Sequence, residues 1–190
     1  MGYEAGIALK DKDALEAVSN WYRTGGDDFD ADYALSHGIV LNICGWVFSE
    51  TSKDILAHSI RTEEFLDDLG EPYDMDIVPI SVLREFADAY RAFADTEAGQ
   101  RILACDELEV PYQVGNTDAD EQDEYGNNVV YISPEKMVEA KRSLYSTGHG
   151  EAIERTLDEY WRIGVFADLG EIVDILENAG VTEVGWYESY

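Results

Sequence analysis

The alternation of apolar and polar residues predicts β-strands at both ends of the chain and at several points between them. Residues 3–9 and 182–187 alternate with a period of two, which is typical of a half-buried strand. The apolar run 39–48 is rich in β-branched and aromatic residues and predicts a buried central strand. Three weaker segments are also predicted to be extended, namely 75–80, 108–114 and 128–132.

Apolar residues that recur with a period near 3.6 predict helices between these strands. The clearest helix begins at Ser81, its predicted N-cap, and carries Phe86 and Tyr90 on its apolar face. Other helices are predicted after Asp13, over 52–69, from Pro134 to about 147, over 151–163, and from the caps Asp168 and Glu171 to Gly180. These elements predict an α+β fold, with one domain over residues 1–190, four or five mainly antiparallel strands and five to seven helices.

The predicted core joins the apolar run to the apolar faces of two helices. Apolar residues make up 45% of the chain, so enough apolar surface is available to offset the entropy lost on folding. The core members are Ile39, Val40, Leu41, Ile43, Trp46 and Phe48, then Val82, Leu83, Phe86, Tyr90 and Phe93, and finally Ile172 and Leu176.

Two stretches rich in carboxylates predict exposed loops. Residues 27–32 carry four Asp around Phe29. Residues 115–127 lie between the predicted strands 108–114 and 128–132, so they predict the tip of a long acidic hairpin.

The charge of the chain is one-sided, with 41 Asp and Glu against 13 Lys and Arg and a formal net charge of −28. Direct binding to DNA, RNA or anionic lipid is excluded, because such binding relies on Lys and Arg to neutralise phosphates. Four segments without any Lys or Arg hold 27 of the acids: 24–52, 62–83, 102–135 and 163–190. This segregation predicts acidic surfaces without cations from the same part of the chain.

The spacing of the acids resembles a calcium loop at two places, and both patterns fail. Asp28, Asp30 and Asp32 have the required spacing, but Tyr33 and Ile39 occupy the positions that require Gly and Glu. The stretch 118–124 fails in the same way. We therefore expect no metal site.

Catalytic chemistry has equally little support in the sequence. There is no G-x-S-x-G, Walker A or G-x-G-x-x-G motif. Cys44 lies inside the apolar run, and Cys105 stands beside two acids that raise the pKa of a thiol. His149, flanked by glycines, is the residue most similar to a catalytic one, and a polar connection between helices explains it equally well. We expect no enzymatic activity and no cofactor.

The expected compartment is the cytoplasm. The chain shows no basic start followed by a long apolar run and no window of about 18 apolar residues. Its two cysteines are too few for a disulfide scaffold, which favours reduced thiols.

In size and charge the chain resembles acidic inhibitors that mimic DNA, including antirestriction proteins and anti-CRISPRs, and acidic immunity proteins. The resemblance concerns composition alone and transfers no residue. It implies a non-enzymatic protein that inhibits a basic nucleic-acid-handling partner, such as a nuclease, a restriction or CRISPR effector, or a toxin. The alternatives are a housekeeping domain adapted to a salty cytoplasm and a small hydrolase of unknown substrate.

The residues expected to contact the partner lie in the two acidic stretches. A hairpin projects charge from a rigid base, so its tip reaches a partner with little ordering on binding. The candidates are Asp118, Asp120, Glu121, Asp123, Glu124 and Tyr125 at the tip, and Asp27, Asp28, Asp30 and Asp32 in residues 27–32.

Overall fold

The computed structural model describes residues 4–44, 49–66, 70–97, 100, 120–122, 128–130, 135, 138, 142, 145, 148, 150–152 and 164–189. The fold is α+β, as predicted, and most of its strands form an antiparallel sheet. In chain order the elements are β1 (Glu4–Ala8), α1 (Lys12–Gly25), α2 (Asp28–His37), β2 (Ile39–Cys44), α3 (Ser49–Leu56), β3 (Arg61–Leu66), β4 (Pro72–Pro79), α4 (Ile80–Ala94), β5 (Asp120–Gln122), β6 (Asn128–Val130), α5 (Gly164–Asn178) and β7 (Glu183–Ser189).

The chain divides into two compact units. The first comprises residues 1–84 and 168–190, and the second comprises residues 85–167. Helices α4 and α5 each begin in one unit and end in the other. The expectation of one domain over the whole chain therefore stays a prediction.

The first unit contains a five-stranded antiparallel sheet with the order β2-β1-β7-β4-β3. The C-terminal strand β7 lies between β1 and β4, so residues far apart in sequence pair in its centre. The prediction of a central strand at 39–48 is wrong, because β2 lies at an edge of this sheet. Helices α1 and α2 both contact β2, which explains why an edge strand is rich in apolar residues. Tyr22 Oη of α1 also donates a hydrogen bond to the Val40 carbonyl at 2.9 Å.

Both faces of this sheet bury apolar side chains. Ile7 pairs with Leu41 and with Trp186, so these three residues share one face, and all three are buried. Helix α3 is held to that face by Ser52, whose hydroxyl accepts from Trp186 Nε1 at 2.6 Å and donates to Glu188 Oε1 at 2.5 Å.

The opposite face is closely packed around Gly185. Phe65, Met75 and Ile77 are buried there together with Ala8. A Cβ at position 185 would lie 2.9 Å from Phe65 Cζ and would also meet the Met75 sulfur. Glycine is required at this point of β7 because two large side chains cross it.

The predicted helix over 52–69 is wrong. Helix α3 covers Ser49–Leu56, and Arg61–Leu66 is instead the edge strand β3, paired antiparallel with β4. Pairing with β4 decides the conformation of these residues, and Phe65 is buried in the strand. Strand β4 extends the predicted segment 75–80 towards its N-terminal side.

Helix boundaries were predicted less accurately than the helices themselves. Asp11, rather than Asp13, caps α1, and its side chain accepts from the Ala14 N–H at 2.9 Å. Ser81 and Asp168 lie inside α4 and α5 instead of capping them. The predicted stop at Gly180 is confirmed, where a φ of 80° allows Val181 N–H to donate back to the Leu176 carbonyl.

Most of the predicted core residues that the structure describes are buried. Ile39 is partly exposed. The side chains of Ile43, Trp46 and Phe48 lie outside the described part of the structure. The buried members are Val40, Leu41, Val82, Leu83, Phe86, Tyr90, Phe93, Ile172 and Leu176.

The second unit contains the antiparallel pair β5 and β6 and parts of helices. Asp120 pairs with Val130, and Gln122 pairs with Asn128. Residues 135, 138, 142 and 145 are helical and exposed, in agreement with a helix after Pro134, and Gly148 has a φ of 88° at its predicted end. Tyr90 stacks on Phe166 with ring centroids 5.7 Å apart. The predicted strand 108–114 and most of the predicted helix 151–163 lie outside the described residues.

Candidate acidic binding surface

The acidic stretch 27–32 is helical, so the prediction of a loop is wrong. Asp27 is the N-cap of α2, and its side chain accepts from the Asp30 N–H at 2.9 Å. Asp28 and Asp30 stand in the first turn, where the helix dipole favours negative charge. Ala31 and Ala34 are fully buried beneath the helix. Capping and the burial of two small apolar residues explain why an Asp-rich segment folds into a helix.

Carboxylates from two helices approach each other at this place. We define the α2 acidic surface as Asp27, Asp28, Asp30 and Asp32 of α2 together with Asp168 and Glu171 of α5. Burial, the charge of Asp27 and a hydrogen bond with it raise the pKa of Asp30. Burial and the charges of Asp30 and Glu171 raise the pKa of Asp168. The helix dipole would lower the pKa of Asp30, so crowding and desolvation outweigh it.

The same carboxylates affect the pKa of a tyrosine beneath this surface. Burial raises the pKa of Tyr22, and the charges of Asp30, Asp168 and Asp27 raise it further. Its hydroxyl stays protonated and donates to the Val40 carbonyl. This bond ties α1 to β2 directly under the crowded carboxylates.

The surface receives little compensation from cations. Arg23 Nη2 contacts Asp32 Oδ1 at 2.8 Å, and among the described residues no ion pair involves Asp27, Asp28, Asp30, Asp168 or Glu171. Other cations of the first unit are used elsewhere. Lys10 and Arg61 contact Glu63, Arg61 also contacts Glu183, and Arg84 contacts Asp174 and Glu177. Within the described ranges, these three cations therefore pair with other acids, and the five carboxylates form no ion pair.

Aromatic rings lie along the same helix. Phe29 is 78% exposed, and its ring stacks on Tyr33 with centroids 6.2 Å apart and an interplanar angle of 19°. Tyr33 stacks in turn on His37, at 4.1 Å and 22°. The rings stand at positions i, i+4 and i+8, and we call them the α2 aromatic ladder. The ladder ends at an exposed ring in the midst of carboxylates.

A further acidic surface was missed because residues 61–66 were predicted to be helical. In the sheet Glu64 lies directly opposite Asp74, and both are exposed. Like charges in opposite positions of an antiparallel pair are destabilising. No local pattern of the acids indicates this pair, because the pairing of β3 with β4 brings the two residues together.

The predicted tip of the acidic hairpin is described only in part. Asp120 and Glu121 belong to strand β5, so part of the predicted loop is paired with β6. Asp118, Asp123, Glu124 and Tyr125 lie outside the described residues. The assignment of this tip to partner binding stays a prediction.

A small cavity of about 170 Å³ lies on the face of the sheet around Gly185, within the first unit. Phe65, Ile77 and Gly185 contribute to its lining, with Lys10 and Arg61 among its charged residues. Lys10 Nζ stands 4.2 Å from the centroid of the Phe65 ring, and hydrogen bonds from Arg61 and Lys10 lower the pKa of Glu63. Because its charged groups already satisfy one another, the cavity offers no reactive or unpaired group to a ligand.

The candidate catalytic residues of the sequence are not brought together by the described part of the structure. His37 Nδ1 is 2.7 Å from Ser36 Oγ and 3.2 Å from the Tyr33 carbonyl oxygen. The side chains of Cys44, Cys105 and His149 lie outside the described part of the structure. In the described ranges, no three His, Cys, Asp or Glu side chains are placed to hold one metal ion.

Among the helices that the structure describes, none combines the length and the apolar character needed to cross a membrane. Comparison of the chain with protein-family models, curated proteins and solved structures finds no match.

Proposed function

We propose that this protein is a non-enzymatic inhibitor that uses carboxylate surfaces to occupy the nucleic-acid site of a basic protein. One observation supports the proposal above others. Among the described residues, five carboxylates of the α2 acidic surface form no ion pair, although burial and neighbouring carboxylates raise the pKa of two of them. A surface that carries an unfavourable charge of one sign favours a partner of the opposite sign.

Helix capping alone does not explain this arrangement. It accounts for Asp27, Asp28 and Asp30, which stand at the start of α2. It does not account for Asp168 and Glu171, which lie inside α5 and approach the same place. The exposed ring of Phe29 adds an apolar contact of the kind that anchors protein interfaces.

The mechanism follows from electrostatics. DNA presents one negative charge per ~1.7 Å of its axis, and a basic protein groove is built to receive such a field. Carboxylates fixed on folded helices would enter the groove without the ordering cost of a flexible chain. Charge of opposite sign also steers the encounter, so association should be fast at low salt and slower as salt screens it. In this proposal the protein and its partner meet in the cytoplasm.

The test begins with capture of a partner and continues with kinetics. The immobilised chain is exposed to host lysate, and bound proteins are challenged with duplex DNA, which should release a partner held through its nucleic-acid site. Association with the captured protein is then measured over a salt series for the wild type and three variants. Each variant replaces four carboxylates with the corresponding amides.

The three variants remove the same number of charges at different positions. The surface variant changes Asp28, Asp30, Asp168 and Glu171. The hairpin variant changes Asp118, Asp120, Asp123 and Glu124, and the control variant changes Asp13, Glu16, Glu64 and Asp74. We expect the surface variant to associate more slowly, and with a weaker dependence on salt, than the control variant does. The reason is that the carboxylates it removes lie in the proposed interface with the partner. Capture of proteins that DNA does not release, or equal kinetics in all four chains, would refute the proposal. A loss confined to the hairpin variant would move the interface to 115–127.

A further inference from the structure

We infer that the α2 aromatic ladder is an arginine-binding element, and that the partner inserts an arginine in preference to a lysine at Phe29. The inference rests on the proposed function, since it identifies the partner group that the surface receives. It is carried by the geometry of the ring stack together with the carboxylates beside it.

The ladder orders the exposed ring before any partner arrives. Phe29 stacks on Tyr33 at 6.2 Å, and Tyr33 stacks on His37 at 4.1 Å, with interplanar angles near 20° in both contacts. His37 is further fixed by Ser36 Oγ at 2.7 Å from its Nδ1. With the ring held on one side and 78% exposed, Phe29 offers a free face whose orientation costs little entropy on binding.

Exposed carboxylates flank the Phe29 ring on α2. Asp32 follows Phe29 by three residues, so the two side chains are neighbours on the helix surface. Its side chain is 75% exposed although Oδ1 accepts from Arg23. Asp28 is exposed beside Phe29 in the first turn. A planar guanidinium can stack on the ring and reach carboxylates with its edge, and an ammonium can only do one of these well.

A guanidinium already contacts a carboxylate of the α2 acidic surface. Arg23 supplies the described ion pair on this surface, and it is a guanidinium contact with Asp32. The Phe29 ring, next to that contact, has no cation over it among the described residues; the cation–π contact found in the described part of the chain is that of Lys10 with Phe65. An incoming arginine would thus extend an arrangement that the molecule already uses.

The test compares an arginine homopeptide with a lysine homopeptide of equal length, each titrated into the full chain at low salt. Both peptides carry the same charge, and any preference of arginine for carboxylates elsewhere on the protein is measured with the Phe29→Leu variant. We expect the arginine peptide to bind roughly threefold more tightly, the size of an exposed cation–π contact. Phe29→Leu should reduce this preference, because it weakens binding of the arginine peptide more than binding of the lysine peptide. Leu35→Ala, which alters another exposed apolar residue of α2, should leave it unchanged.

The outcomes separate this inference from the proposed function. Equal binding of the two peptides to the wild type, or a preference of the same size in Phe29→Leu, overturns the arginine assignment while leaving the charge-based inhibitor intact. Equal association kinetics of the wild type and all three carboxylate variants with the captured partner overturn the proposed function, whatever the peptides show. Because Phe29 is exposed, its replacement leaves the fold intact, and an unchanged melting temperature verifies this.

Discussion

At the scale of single residues, the structure explains which carboxylates destabilise the fold. Asp30 and Asp168 both have a raised pKa, so each binds a proton more tightly in the folded chain than in the unfolded chain. Their charged forms therefore oppose folding at neutral pH, and this cost disappears as the pH falls through the folded-state pKa. The opposite holds for Glu63, whose pKa is lowered by Arg61 and Lys10.

Asp168→Asn should stabilise the protein at pH 7. Removal of the charge relieves its repulsion with Asp30 and Glu171, and we expect a gain of ~0.4 kcal/mol because the group is partly exposed and screened. The gain should shrink as the pH is lowered towards 4, since the wild-type carboxyl then binds a proton. Thermal unfolding across this pH range measures the effect.

The control is Glu16→Gln, which removes a carboxylate of α1 that raises neither of the two pKa values. An equal gain in both variants would show that total charge, rather than the cluster on α2 and α5, is responsible. Destabilisation by Asp168→Asn would contradict the expected sign of the effect.

At the scale of elements, tertiary ion pairs compensate acids that have no cation in their own segment. Residues 163–190 contain no Lys or Arg, and this segment was predicted to form an acidic surface without cations of its own. In the structure Arg84 of α4 reaches Asp174 at 2.6 Å and Glu177 at 2.7 Å. Glu177 and Asp174 both raise the pKa of Arg84, which is the direction expected for a cation held between two anions.

Arg84→Met should lower the free energy of unfolding by about 1 kcal/mol. The variant removes charge-assisted hydrogen bonds made by an arginine side chain that is only 20% exposed. Denaturant unfolding measures the loss. In a chain that already carries Asp174→Asn and Glu177→Gln the same substitution should cost much less.

A matched comparison is Arg23→Met, which breaks the more exposed pair with Asp32 and should cost less than about 0.5 kcal/mol. Equal losses of stability in the two arginine variants would contradict this prediction. So would a loss for Arg84→Met that stays the same when Asp174 and Glu177 are already replaced, because the contact between α4 and α5 would then contribute nothing specific.

At the scale of the whole molecule, the question is whether a chain with a net charge of −28 folds without added salt. Self-repulsion opposes the compact state. The described structure places buried apolar residues on both faces of the five-stranded sheet and in the helices that cover it. This core favours a fold that is stable in dilute buffer.

We expect a cooperative thermal transition in about 10 mM salt, with a melting temperature that rises until ~0.15 M and then changes little. At ~0.15 M salt the Debye length is ~8 Å, so most of the repulsion between the carboxylates is screened. Circular dichroism at increasing salt measures this. A chain that folds only in molar salt would favour the alternative of a salt-adapted housekeeping domain over the proposed inhibitor.

The sequence by itself determined the fold class, the identity of most elements and the excess of acid. Periodicity marks local burial, so β1, β7, α4 and α5 were predicted from the spacing of their apolar residues, and Gly180 marked a helix end through its backbone freedom. The net charge needs only counting.

Tertiary structure alone decided the rest, because it depends on partners that are distant in sequence. Strand β3 exists through its pairing with β4, and β2 is an edge strand because β7 occupies the other side of β1. The convergence of Asp168 on Asp30, and the neutralisation of Asp174 by Arg84, join residues about 90 or more positions apart. Local patterns carry no information on such distances, so the sequence showed which residues were acidic and the fold decided which of them stayed uncompensated.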